Sequence, residues 1–248
     1  MKKQSHIFRF EVILFFLLLW EVLSFHGLVN SLLFPPPSRI LLSFKDLLIS
    51  GELIHDVAIS FERVIVGFSI SLCTAIPLAL LLGTNKKLHA VVSPFIDFIK
   101  PIPPIAWIPI AIIWFGIGNN LAYFVTMIAS FFPIFTNTFV GVENVPKEDL
   151  EVAKCFGANT RMQLLDIIIP SSLPYIFSGI RVGLGIAWMS IVAAEMVTSI
   201  SGLGYLITAN QQMLRLDRVF VSMMTIGLVG MVMDSLVVRL RKKVVRWK

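Results

Sequence analysis

Charge is what this sequence has least of. Asp, Glu, Lys and Arg make up 15% of its 248 residues against 56% hydrophobic ones, and the mean hydropathy is +0.85. A soluble domain carries about a quarter charged residues, and a soluble helical one needs polar faces to cover its outside, which several windows here lack. Cysteine is also scarce. Cys73 and Cys155 have no metal-ligand spacing and support no disulfide framework. His6, His26, His55 and His89 are scattered and no H-E-x-x-H occurs, so a metalloprotease or other metal enzyme is poorly supported. The phosphate-cradling G-x-x-x-x-G-K-[ST] is absent, so the chain does not hydrolyse ATP by that route. There is no internal repeat or low-complexity region.

What is present is apolar sequence in long runs. A bilayer core needs roughly 20 apolar residues per helix. Six segments qualify, at about 8–29, 58–83, 90–116, 121–142, 174–199 and 219–239. The first has a basic start like a signal peptide, but it is long, contains Glu21 and shows no small-residue cleavage site, so a retained helix is expected. The third, "KPIPPIAWIPIAIIWFG", contains Pro101, Pro103, Pro104 and Pro109. Proline removes an amide donor and clashes with the preceding turn, so this span is expected to break where protein or a cavity covers the freed groups.

The net charge of +6 is placed for a membrane, not for nucleic acid. Arg239, Arg241, Lys242, Lys243, Arg246 and Lys248 follow the last span. With six spans they fall on the side of Lys2, Lys3, Arg9, Lys86, Lys87, Lys147, Lys154 and Arg161. Only Arg39, Lys45, Arg215 and Arg218 fall opposite, which makes both termini cytoplasmic. Residues 35–53 read as an amphipathic helix along the outer interface, and 201–214 as a short re-entrant or interfacial helix.

The insert "DLEVAKCFGANTRMQLLDIIIP", 149–170, is polar where its neighbours are oily. Pro146 suits a first helical turn, and Glu148 and Asp149 complement the helix dipole, predicting a helix over 146–156. Gly157 is suited to the left-handed ending, with Leu150, Ala153 and Gly157 on one face. Thr160 with Gln163 reads as a capping box opening a second helix over 160–168, which Pro170 stops.

Here the residues carry a resemblance. Glu151, Ala153, Gly157, Ile167 and Pro170 match the spacing of the EAA signature of ABC importer permeases, with Val152 and Ile169 as apolar departures. "FERVIVGF", "KPIPPIAWIPIAIIWFG", "FFPIFTNTFVGVENV", "PYIFSGIRVGLGIAWMSIVAAEM" and "SGLGYLI" are similar to stretches of the nitrate, sulfonate, taurine and bicarbonate importer permeases. The resemblance covers roughly residues 35–247. It implies an all-α integral membrane protein of type I ABC importer permease architecture: one domain of six transmembrane helices with a cytoplasmic coupling-helix loop over 143–173. It further implies a dimer in a bacterial inner membrane, with two cytoplasmic ATPase subunits and an extracytoplasmic substrate-binding protein. Glu151, Ala153, Lys154, Gly157, Ala158 and Pro170 would dock the ATPase, which would hold ATP and Mg²⁺; this chain would hold no cofactor. The alternative is a secondary transporter or channel driven by an ion gradient, which predicts inverted repeats.

Ionisable residues at membrane depth line interiors or pair with one another. Glu11, Glu21, Glu62, Arg63, Asp97, Lys100, Arg181, Glu195 and Asp234 fall in or beside spans. Arg181 is expected to snorkel to the cytoplasmic interface. Glu195 reads as structural or gating, because the implied substrates are anions. Lys100 adjoins the broken span and is the candidate anion contact, although Asp97 one turn earlier is placed to pair with it. Pro103, Pro104, Trp107, Trp188 and Glu195 complete the candidate translocation path.

Overall fold

The computed structural model describes residues 2–26, 30–198 and 200–245. Arg246 and Lys248 of the basic cluster and the ends of the first and fifth expected spans lie outside the described residues. Among the described residues every regular element is a helix. Helix α1 (Lys2–Phe25) leads to α2 (Pro37–Ile49), whose first turn is capped by the Glu21 carboxylate, which accepts from the Ser38 amide at 3.0 Å and its hydroxyl at 2.7 Å. Then follow α3 (Glu52–Thr84) and α4 (Lys86–Ile99). The Asn85 side chain starts α4 by accepting from the Leu88 amide at 3.1 Å.

The proline-rich stretch breaks as its chemistry requires. After α4 the chain makes a 3₁₀ turn at Pro104–Trp107 and re-enters helix as α5 (Ile108–Phe115), bent by 89° from α4. Helix α6 (Asn119–Glu143) is followed by the insert, α7 (Lys147–Cys155) and α8 (Thr160–Met162). The chain then widens into a π-helical turn at Gln163–Ile168 and continues without a stop as α9 (Ile169–Thr198). Pro170 therefore does not end the second helix, contrary to expectation. The wider turn ahead of it moves the carbonyl that its ring would strike, and a helix with a missing amide can continue. Helices α10 (Leu203–Gln212) and α11 (Leu216–Val244) complete the chain.

Helix α3, helix α6, the continuous Thr160–Thr198 helix and α11 are each long and apolar enough to cross a membrane. The bent pair of α4 with Pro104–Phe115 makes up to a fifth. The apolar stretch of α1, Leu14–Phe25, is shorter.

Helix α6 is the axis of the bundle, packed along its length by α3 and α9. Lipid tails are as apolar as leucine, so close contact between small side chains, not escape from water, drives helix association in a bilayer. On α3 the buried stripe runs through Ser60, Val64, Gly67, Ser71, Ala75 and Ala79, one residue per turn. On α9, Gly179 and Gly183 place that backbone against Ile134 and Ser130 of α6. Helix α2 joins α11 through Ser43, which donates a hydrogen bond to the buried Asp217 carboxylate.

Candidate functional site

The insert forms a helix, a tight turn and a second helix. Glu148 and Asp149 lie in the first turn of α7 and Lys154 in its last, matching the dipole at both ends. Gly157 ends α7 at φ +80°, where a side chain is strained. The Ala158 amide returns to the Ala153 carbonyl and the Gly157 amide to that of Lys154, both at 2.9 Å, the paired closure of a Schellman ending. The second helix is capped one residue earlier than expected: Asn159, not Thr160, accepts from the Met162 amide at 2.9 Å. Gln163 instead donates to the Ala158 carbonyl at 3.0 Å, so the side chain assigned to a capping box ties the turn together.

The insert rests on a small core of its own. Leu150 packs with Val142, Val145 and Ile168, and Ala153, Ala158 and Pro170 are half-buried. Glu151, Lys154 and Gly157 are exposed, so the expected docking residues split between a supporting and a presenting face. Beside them Val152 is 55% and Phe156 88% exposed. Sequence reading noted Val152 only as an apolar departure from the signature and passed over Phe156. The signal was an aromatic beside the helix-ending glycine of a polar stretch, with no apolar periodicity to bury it.

A second constellation joins α3, α9 and α10. Glu195 and Arg63 are both buried and paired at 2.8 Å. Arg63 also donates to the Ser201 carbonyl at 2.8 Å and, through Nε, to Asn119 Oδ1 at 3.0 Å. The first amides of α10 point into this cluster. Gly202 donates to Asp56 at 2.9 Å, Leu203 to the Ser60 hydroxyl at 2.9 Å, and Gly204 to Glu195 at 3.0 Å. The orphan donors of one helix are thus satisfied by side chains of two others, and a carboxylate lies at the positive end of its dipole. Glu195, expected as structural or gating and as a candidate path residue, is 1% exposed and paired with Arg63, a pairing that was not foreseen. Asp56, Ser60, Arg63 and Gly67 at helical spacing did mark a polar face on α3. The partner lies 132 residues away, beyond any local pattern.

The broken span borders a cavity of about 340 Å³, walled by α6 and α9. Lys100 and Pro104 line it with Phe132, Thr136, Asn137 and Val182, so its walls are apolar except at one end. Lys100 and Thr136 also border a smaller, more polar space of about 170 Å³ with His89, Ser93 and Asp97. No ion pair joins Asp97 to Lys100 among the described residues, a correction to the expected local neutralisation. Both side chains are exposed, and both line the smaller cavity. Pro103 and Trp107 sit on the adjoining turn, with the Trp107 ring edge-on to Phe124 and its Nε1 buried without a partner among the described residues. Trp188 is elsewhere. It is 5% exposed, and its indole donates to the Ile226 carbonyl of α11 at 3.0 Å.

Arg181 also departs from expectation. It does not snorkel alone but forms a two-pronged pair with Asp234 of α11 at 2.6 and 2.9 Å. The α11 carboxylate lies within reach, and an unpaired charge at membrane depth costs more than a paired one.

A bundle of apolar helices long enough to cross a membrane, with a capped polar helix-turn-helix set on the axis helix, is the architecture of a multi-pass membrane protein. The chain belongs to the family described as binding-protein-dependent transport system inner membrane component, which matches residues 75–246. It is thus the permease subunit of an ABC importer, a family that implies partnership with an ATPase and a substrate-binding protein. It is 40% identical, over 87% of this chain and 82% of the other, to a Methanocaldococcus jannaschii protein named as an ABC transporter permease. It is 33% identical to the Bacillus subtilis protein SsuC, named for aliphatic sulfonates transport, over 93% of this chain and 83% of that one. The bicarbonate transport system permease protein CmpB of Synechococcus elongatus is also 33% identical, over 94% and 87% of the two chains. A crystal structure of an amino acid ABC transporter with histidines shares the fold. Its TM-score is 0.59 at 15% identity, over 82% of this chain and 96% of that one.

Proposed function

We propose that two copies of this chain form the path of an ATP-driven importer for a small anion bearing an apolar group, of the aliphatic sulfonate class. Two ATPase subunits, carrying ATP and Mg²⁺, dock on the insert from the cytoplasm, and a substrate-binding protein delivers from the opposite face. Both termini then lie on the cytoplasmic side, where most Lys and Arg residues between spans fall. The observation that carries this reading is the insert, whose rigid closure around Gly157 leaves Phe156 88% exposed. An exposed aromatic on a capped helix flanked by Glu151 and Lys154 is an anchor for a pocket in a soluble partner. The cavity supports the substrate class. One cation, Lys100, at the end of apolar walls suits an anionic head on an apolar body better than a fully hydrated ion.

Co-purification with the ATPase subunits tests the docking. Substituting Phe156→Asp or Glu151→Lys is expected to weaken assembly on the order of tenfold, the loss typical of an anchor residue. Substrate-stimulated ATP hydrolysis falls in parallel. Unchanged assembly and unchanged stimulation in both variants would sink the docking assignment.

A further inference from the structure

The flank of α9 and α11 carries polar chemistry that the proposed transport path does not use. Phe177 and Arg181 of α9 and Val237, Val238, Arg241 and Lys242 of α11 line a cavity of about 240 Å³. Arg241 and Lys242 have no carboxylate within ion-pair distance among the described residues. Arg181 spends Nε and Nη2 on Asp234, and Nη1 has no hydrogen-bond partner among the described residues. The Arg181 and Asp234 side chains remain 51% and 44% exposed on the outside of two membrane-crossing helices. Hydrocarbon against a half-exposed ion pair is costly. A polar group held at that depth removes the cost.

The cavity is open and graded. Arg241 follows Asp234 by seven residues, two turns along the same face and roughly 10 Å nearer the helix end. Basic side chains therefore line it at its surface end and at depth, with Phe177, Val237 and Val238 between them. A phosphate at Arg241 and Lys242 would leave its glycerol esters beside Arg181 and its acyl chains along the apolar flank. The geometry points to a binding site for the phosphate of an anionic phospholipid between α9 and α11, held by Arg241 and Lys242 and closed at depth by Arg181. A free phosphate has the same head chemistry, but the apolar walls give it nothing to contact.

Native mass spectrometry of the assembled transporter, titrated with phosphatidylglycerol or phosphatidylcholine, reads the site directly. One phosphatidylglycerol per protomer is expected to be retained over phosphatidylcholine by a factor on the order of tenfold, from two uncompensated cations near the surface. The preference disappears in R241Q/K242Q and persists in K86Q/K87Q, which removes an equal charge from the start of α4. Both pairs are exposed, so neither double substitution disturbs the core. An arm with millimolar inorganic phosphate separates the sources. Undisturbed phosphatidylglycerol assigns the lipid, and displacement assigns free phosphate to the same residues. Equal preference in wild type and R241Q/K242Q, or an equal loss in K86Q/K87Q, overturns the site.

Discussion

Glu195 has more partners than any other carboxylate among the described residues: Arg63, the Ser60 hydroxyl and the Gly204 amide. Removing one member of a buried ion pair leaves the other charge uncompensated, at a cost of about 3–5 kcal/mol. Arg63→Met and Glu195→Gln are each therefore expected to lower the melting temperature in detergent sharply. The double variant falls by less than the sum, with a coupling of about 1–3 kcal/mol. Additive losses would mean that the two side chains stabilise the bundle independently. The sequence announced these residues as ionisable groups at membrane depth, and that much was legible. Their pairing was not, because composition and spacing report which face of a helix is polar but not which distant helix meets it. The same limit hid Asp234 from Arg181, whose expected route to the interface is replaced by a neighbour from another helix.

Helices are governed by how closely their backbones approach, and the glycines of this chain divide on that basis. A Cβ on Gly67 would lie 2.6 Å from the Tyr123 carbonyl oxygen and 2.7 Å from Thr126 Cβ, and the first contact is backbone. At Gly227 of α11 nothing lies within 4 Å. Gly67→Ala is expected to destabilise by about 1–3 kcal/mol by pushing α3 from α6. Gly227→Ala is expected to be neutral or to stabilise by up to about 1 kcal/mol through helix propensity. Thermal unfolding of the two purified variants checks the contrast; equal behaviour would show that α3 and α6 are not in limiting contact. At this scale the apolar runs made most elements readable, and the prolines at 101–109 foretold the bend. Pro170 was misleading because proline only forbids the regular α-turn before it. The π turn at Gln163–Ile168 is a tertiary solution, fixed by Ile168 and Leu164 packing into the small core under the insert.

In the proposed importer the insert and the cavity divide the work of the whole molecule. The first helix of the insert and its glycine ending were legible, since dipole charges and the left-handed turn are local; the second helix was not, its cap lying at Asn159 instead of Thr160 and its end running past Pro170 into α9. Of the candidate path residues, Lys100 and Pro104 line the cavity beside the broken span while Trp188 packs against α11, because Gly-rich sequence around an aromatic marks close packing as readily as a pore. The cavity makes its own prediction. Lys100 is the cation shared by its two compartments, and Asp97 faces the smaller one without pairing to it. If anions pass here, Lys100→Gln raises the KM for uptake by about tenfold, the worth of one charge-assisted hydrogen bond. Asp97→Asn acts in the opposite direction, by about threefold, because it removes a like charge near the same space. Both side chains are remote in sequence from the insert, so ATP hydrolysis without substrate stays at the wild-type rate in each. Uptake into proteoliposomes carrying the permease, ATPase and binding protein is the measurement, and permease alone under an ion gradient should accumulate nothing. Shifts of the same sign in the two variants, or an unchanged KM in Lys100→Gln, would place the anion's route elsewhere in the dimer.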